Sequence, residues 1–230
     1  MAQRYFVPDL PAKGSIDVDG DLAHHLGRVL RVQVGASVRL GDGRGGRADA
    51  TVAAVGARSV TLDVLGTTRA EPMHPRLTLA FVCPRLPRVD WLFEHATEVG
   101  VAVFQPLTSE RSRPQGARPE RWNKIVRAAA GQCDRDWLPE VRPTVALTEL
   151  LASQLPPRRV LADARGAPPA GAAADTVLLV GPEGGLTAEE LERCRAAGFV
   201  GMRLGPHTLR TETAALVGAA VLLASAGTET

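Results

Sequence analysis

Apolar and polar positions alternate over short runs in the first third of the chain, and the pattern then changes to apolar blocks separated by helix-period stretches. Between Arg4 and about Thr68, Ser37-Val38-Arg39-Leu40 alternates, Gly41-Asp42-Gly43 reads as a turn, and Ala50 to Val55 and Ser59 to Leu65 read as further short strands. This predicts a small β-barrel. One helix interrupts it, because Leu22, Leu26, Val29 and Leu30 recur at helical spacing while Arg28 and Arg31 point elsewhere, where they can touch phosphate. The stretch from Arg69 to Pro75 has two prolines and no periodicity, as a linker would. The expected domains are therefore 1–70 and 75–230.

Beyond the linker, strands alternate with helices. Leu77 to Cys83 reads as a buried strand, and Val89, Leu92, Phe93, Ala96 and Val99 form a helix stripe that ends at Gly100. Further units are a strand over Val103 to Leu107, a helix from Pro119 to about Gln132, and short strands over Arg159 to Ala162 and Thr176 to Val180. Thr187 and Glu190 fit a capping box at the start of a helix that stops before Gly198. Phe199 to Leu204 is a strand, Thr211 to Ala226 a small-residue-rich helix, and Ala164 to Asp175 a loose surface loop. The expected class is α/β with a mostly parallel sheet.

With 230 residues and 45% hydrophobic content, the chain can bury a substantial core, which excludes disordered and collagen-like classes. No apolar run is long enough for a membrane span, and the first ten residues lack the apolar core of a signal peptide, so a soluble cytoplasmic protein is expected. Cys83, Cys133 and Cys194 are isolated, as reduced and partly buried residues would be. The five histidines lack metal-ligand spacing, so no metal is expected. A net charge of +2 announces no partner by itself. Between Leu107 and Arg135, however, Arg111, Arg113, Arg118, Arg121, Lys124, Arg127 and Arg135 face only Glu110, Glu120 and Asp134. That segment is either a phosphate-facing surface or an arginine-rich solvated helix face.

Three segments carry candidate chemistry. Val180-Gly181-Pro182-Glu183-Gly184-Gly185-Leu186 joins a buried strand to a capped helix, and its glycines allow a ligand to lie against main-chain groups. Glu183 argues against a polyphosphate there and favours a neutral or cationic ligand, such as a sulfonium cofactor. The loop is otherwise only a glycine-rich turn. In Leu204-Gly205-Pro206-His207-Thr208-Leu209-Arg210-Thr211-Glu212-Thr213-Ala214, Thr211 can cap the last helix and Glu212 sits near its positive end. Arg210 can hold a phosphate or a developing oxyanion. The third segment, Leu107 to Ser112, leaves the end of a strand, where α/β ligand crevices form.

Together, Thr108 to Ser112, Gly181 to Gly185, Leu204-Gly205-Pro206 and Leu209 to Ala214 resemble the three motifs of the RsmE family. These are bacterial methyltransferases acting on N3 of one uridine in small-subunit (16S) ribosomal RNA. Arg4-Tyr5-Phe6-Val7, His24 to Val32, Ala96 to Gly100 and Glu120-Arg121-Trp122 share the resemblance, which covers nearly the whole chain. It implies a PUA-like RNA-binding barrel, a trefoil-knotted SPOUT α/β domain and a homodimer acting on 16S rRNA or the small ribosomal subunit. It implies S-adenosylmethionine against Leu179, Gly181, Pro182, Glu183, Gly184, Gly185, Leu204, Gly205, Leu209, Thr213 and Ala214. Arg210 and Glu212 are expected as catalytic residues, and Arg4, Arg28, Arg31, Arg111 and Arg135 as RNA contacts. The alternatives are another base or a ribose hydroxyl as target in the same class, and a non-catalytic RNA-binding factor; a dinucleotide-binding oxidoreductase lacks support, since no GxGxxG joins a strand to a helix.

Overall fold

The computed structural model describes residues 3–112, 116, 118–168 and 174–224. The chain divides into two compact units, Met1–Pro72 with Ala130–Leu138, and Met73–Ala129 with Pro139–Thr230.

The first unit holds β1 (Arg4–Phe6), β2 (Gly14–Val18), α1 (Gly20–His24), β3 (Ser37–Gly41), β4 (Gly46–Val55) and β5 (Val60–Arg69), with strands ordered β1-β3-β4-β5-β2. β1 runs parallel to β3, and the other pairs are antiparallel. The alternation read in the sequence is that of strands with one buried face: Ala48, Ala50 and Val52 on β4 meet Leu40, Leu62 and Leu26 in one core. Asp42 turns the β3–β4 hairpin, its Oδ1 accepting from the amides of Arg44 and Gly46 at 2.6 and 2.8 Å.

Helix α1 differs from expectation. It passes into a π-helical turn over His25–Val29, closed by the Leu30 amide donating to the His25 carbonyl at 2.9 Å. The wider turn changes the phase of the stripe, so Leu26 stays buried while Val29 and Leu30 are exposed.

The segment Ala130–Leu138 belongs to this first unit, although it begins in the last turn of α3 (Pro119–Gln132). The Gly45 amide donates to the Asp136 carbonyl at 3.0 Å, and the Leu138 amide to the Gly43 carbonyl at 2.9 Å. Gly131 permits a close approach, since a Cβ there would lie 2.3 Å from the Arg4 carbonyl oxygen.

The second unit carries a parallel sheet of β6 (Leu77–Val82), β7 (Val103–Thr108), β8 (Glu140–Val141), β9 (Val145–Ala146), β10 (Arg158–Ala167), β11 (Thr176–Val180) and β12 (Val200–Met202). The order is β12-β10-β11-β6-β7-β8, with β9 also pairing with β7. Every residue of β6 and β11 is buried, as central strands covered on both faces require. Leu79, Phe81 and Leu178 face a core shared with α2 (Leu86–Val99) and α6 (Thr211–Ala224). Ala80, Val177 and Leu179 face a second core shared with α4 (Leu147–Ala152) and α5 (Ala188–Ala196).

Local signals mark the helix ends. Gly100 closes α2 at φ 117°, and the Thr187/Glu190 capping box opens α5 with both reciprocal bonds present. One expected loop is partly strand, because β10 continues to Ala167.

Candidate active site

Three loops leave the C-terminal ends of β7, β11 and β12, the edge at which parallel sheets hold ligands. Side chains tie them together. The Glu110 amide donates to Glu190 Oε1 at 2.9 Å, while Glu190 Oε2 accepts from the Thr187 amide, so one buried carboxylate joins the β7 loop to the start of α5. Arg111 donates to the Gly184 carbonyl at 2.9 Å. Thr211 Oγ1 donates to the Gly181 carbonyl at 3.0 Å, joining the β11 loop to α6.

A cavity of about 350 Å³ opens between the β11 and β12 loops, with β10 residues completing its lining and none from the β7 loop. Leu161, Leu186, Met202, Leu204 and Leu209 give it apolar walls, Asp163, Arg165, Glu183 and Arg195 give it charged ones, and His207 adds a polar ring. Both its size and its mixture of apolar and polar walls suit a small organic ligand. Gly185 stands at φ 68°, and a Cβ at Gly185 or Gly205 would meet nothing within 4 Å, so open space lies against the backbone at both positions. An adenosine with a zwitterionic amino-acid arm and a cationic sulfur fits this lining, since Glu183 and Asp163 supply negative charge and the leucines a flat apolar wall.

Of the expected cofactor residues, Gly181, Pro182, Glu183, Gly185, Leu204, Gly205, Leu209 and Ala214 line the cavity. Leu179 does not: its side chain is fully buried in the second core, because alternate β11 residues point to opposite faces. Gly184 and Thr213 also stand outside the lining, and Gly184 instead offers its carbonyl to Arg111. The β10 stretch Leu161–Arg165 lines the cavity and was missed, since Ala164 onward read as loop. The signal available was position, because Arg159 to Ala162 read as a strand of a parallel sheet.

Arg210 is exposed between two lining residues, Leu209 and Thr211, and its guanidinium has no bonded partner among the described residues. Its carbonyl accepts from the Ala214 amide at 2.8 Å, which makes Arg210 the helix-opening residue in place of Thr211. The Thr211 hydroxyl is committed to Gly181 instead.

Glu212 is 7% exposed. Its Oε1 lies 3.4 Å from Arg88 Nε, and its buried Oε2 has no hydrogen-bond partner among the described residues. Leaving such an acceptor unpaired costs roughly 1–3 kcal/mol, which a ligand's N–H donor would recover. Arg88 also reaches Glu183 at 3.1 Å. Sequence reading missed Arg88, because its partners lie far along the chain. A cation in the first turn of α2 is disfavoured by about 0.3–1 kcal/mol, and that misplaced charge was the available clue.

The expected RNA contacts separate. Arg28 and Arg31 are exposed. Arg111 is exposed but holds Gly184. Arg4 is 3% exposed and bonded to Asp134 and Asp136, so its guanidinium is committed within the first unit. Arg135 is half-buried with Nε donating to the Trp137 carbonyl at 3.3 Å, and burial lowers the pKa of its guanidinium. Arg113 lies outside the described residues. No cluster able to hold a metal occurs among the described residues, and no described helix is long and apolar enough to cross a membrane.

Comparison with known proteins narrows the chemistry. Residues 71–223 match the model of the RNA methyltransferase domain, and residues 18–65 that of the RNA methyltransferase PUA domain. The ribosomal RNA small subunit methyltransferase E of Mycobacterium tuberculosis is 33% identical, covering 94% of this chain and 89% of its own. This chain belongs to the ribosomal RNA small subunit methyltransferase E family. The Synechocystis member of that family is 34% identical over 94% of this chain and 76% of its own. The family member from Neisseria gonorrhoeae, solved bound to S-adenosyl methionine, is 29% identical with a TM-score of 0.86, covering 96% of both chains. A methyltransferase from Legionella pneumophila in complex with the same cofactor has 27% identity and a TM-score of 0.90, covering 97% of this chain and 98% of that one.

Proposed function

We propose that this chain methylates N3 of a specific uridine in 16S rRNA, taking the methyl group from S-adenosylmethionine. The observation that carries this reading is the cavity at the strand ends, lined by two of the motif segments, which Thr211 and Gly181 bond together, with the third bracing Gly184 through Arg111 and Glu183 supplying negative charge. Family membership agrees with it. Gly181, Pro182, Glu183, Gly185, Leu204, Gly205, Leu209 and Ala214 would hold the cofactor, with Leu161 and Met202 completing its apolar wall. When bound, the cofactor supplies a methyl group on a cationic sulfur.

The neutral imide nitrogen of uracil has no free lone pair, so its proton must leave before it can accept a methyl group. Glu212 receives that proton on Oε2, the oxygen that is otherwise unpartnered. Arg210, exposed and without a competing partner, stabilises the negative charge that develops on a uracil carbonyl oxygen. Holding base and methyl group in register supplies much of the remaining rate. Arg28 and Arg31 of the first unit, with Arg111, contact phosphate.

The same reading takes the first unit as a PUA-like RNA-binding barrel (1–70) and the second as a trefoil-knotted SPOUT domain (75–230). It takes the working form as a cytoplasmic homodimer acting on 16S rRNA or the small subunit. The deciding experiment incubates small-subunit rRNA, and assembled small subunits from a strain lacking the endogenous enzyme, with this protein and labelled cofactor. Label in 3-methyluridine supports the proposal. Binding of RNA with no transfer to either substrate leaves an RNA-binding factor as the reading.

A further inference from the structure

Arg88 is a cation that its own helix opposes. It stands in the first turn of α2, which contains no acidic residue, and its partners come from two other elements. Glu183 reaches it from the glycine-rich loop at 3.1 Å, and Glu212 from the first turn of α6 at 3.4 Å. The two contacts use different nitrogens, Nη1 for Glu183 and Nε for Glu212, a division that a guanidinium fork provides and a lysine ammonium does not. Glu212 is held by Oε1, and its buried Oε2 has no hydrogen-bond partner among the described residues.

We infer that Arg88 is a positioning residue for methyl transfer: it fixes Glu212 so that Oε2 is presented to the target base, and it ties the cofactor loop through Glu183. The inference rests on the proposed role of Glu212 as proton acceptor. Arg88 acts through the two glutamates and touches no reacting atom.

The test uses the full chain with Arg88→Ala, Arg88→Lys, Glu212→Gln and the Arg88→Ala/Glu212→Gln double variant. Measured quantities are kcat, KM for RNA, folded fraction, and calorimetric affinity for S-adenosylhomocysteine, which needs no turnover. Arg88→Ala is expected to lower kcat on the order of a hundredfold with little change in KM for RNA. Arg88→Lys is expected to restore part of that loss. In the Glu212→Gln background, Arg88→Ala is expected to add less than about twofold, because both changes remove the same device. S-adenosylhomocysteine affinity is expected to fall about threefold in Arg88→Ala, since a half-exposed ion pair contributes on this scale. Independent, multiplying losses of kcat, or a loss that only follows the folded fraction, would overturn the inference. Unchanged affinity would remove its Glu183 half. Wild-type protein run in parallel separates the failures: no 3-methyluridine from wild type sinks the proposed reaction itself, whereas active wild type with multiplying losses sinks only the role of Arg88.

Discussion

Arg4 in the first unit and Arg88 in the second each meet two carboxylates, but the surrounding charge balance is reversed. Asp134 answers both Arg4 and Arg39, at 2.9 and 2.7 Å, and Asp136 answers both Arg4 and Arg47. Around Arg88, one guanidinium serves two glutamates, one of which keeps a buried oxygen without a hydrogen-bond partner among the described residues. The Arg4 side chain is 2% exposed and that of Arg88 is 36%. A network with a buried arginine at its centre and cations in excess fastens a chain segment. A half-exposed arginine with anions in excess, beside a cavity, leaves negative charge available for a cationic ligand or an N–H donor.

The largest expected effect tests the fastening role. Arg4→Ala removes the buried side chain that bridges Asp134 and Asp136, losing its packing and leaving each aspartate only one arginine, and should cost about 3–5 kcal/mol in urea unfolding, while activity per folded molecule is retained. A loss within the range of a surface ion pair would erase the contrast. Arg210→Ala tests the opposite case. It should leave the unfolding midpoint in place and lower turnover on the order of a hundred- to a thousandfold, about 3–4 kcal/mol; an active variant sinks its assignment. Gly131→Ala sharpens the fastening side, because its Cβ would lie 2.3 Å from the Arg4 carbonyl oxygen. It should destabilise by about 1–3 kcal/mol without altering cofactor affinity. Gly185→Ala forces an alanine to φ 68° and should weaken S-adenosylhomocysteine binding by about 1 kcal/mol, measured by calorimetry.

The smallest effect concerns thiols that neither cluster uses. Burial pushes Cys83 up to about 11, partly offset by a hydrogen bond from the Leu107 backbone; burial and then Glu190 push Cys194 to about 11, with Arg195 opposing. A raised thiol pKa keeps the neutral form, so at pH 8 the thiolate fraction is about one in a thousand. Alkylation followed by mass spectrometry should find both unmodified at pH 8 in folded protein, with labelling rising about tenfold per pH unit toward 10.

Much of the second unit was legible because its signals are local. Thr187 and Glu190 sit three residues apart and bond to each other, Gly100 ends α2 by its own backbone, and β11 spans the expected Thr176–Val180. The motif loops were legible as turns with chemistry. Contacts distant in sequence were not. Nothing near Arg4 announces Asp134 and Asp136, and nothing near Arg88 announces Glu183 or Glu212, because tertiary packing alone brings these charges together. The π-turn at His25–Val29 likewise escaped a reading that assumes one helical period.

The Ala130–Leu138 segment also governs the order in which the protein can be completed during synthesis. Translation delivers Met1–Pro72 first, yet the aspartates that neutralise Arg4 and the residues that pair with Gly43 and Gly45 are made only after α3. On the ribosome, the N-terminal unit therefore waits with a charge-rich edge open until residue 138 emerges. A gene fragment ending at the linker encodes a sheet without its final tether, so swapping this module into another protein as a contiguous cassette would carry over an unfinished domain.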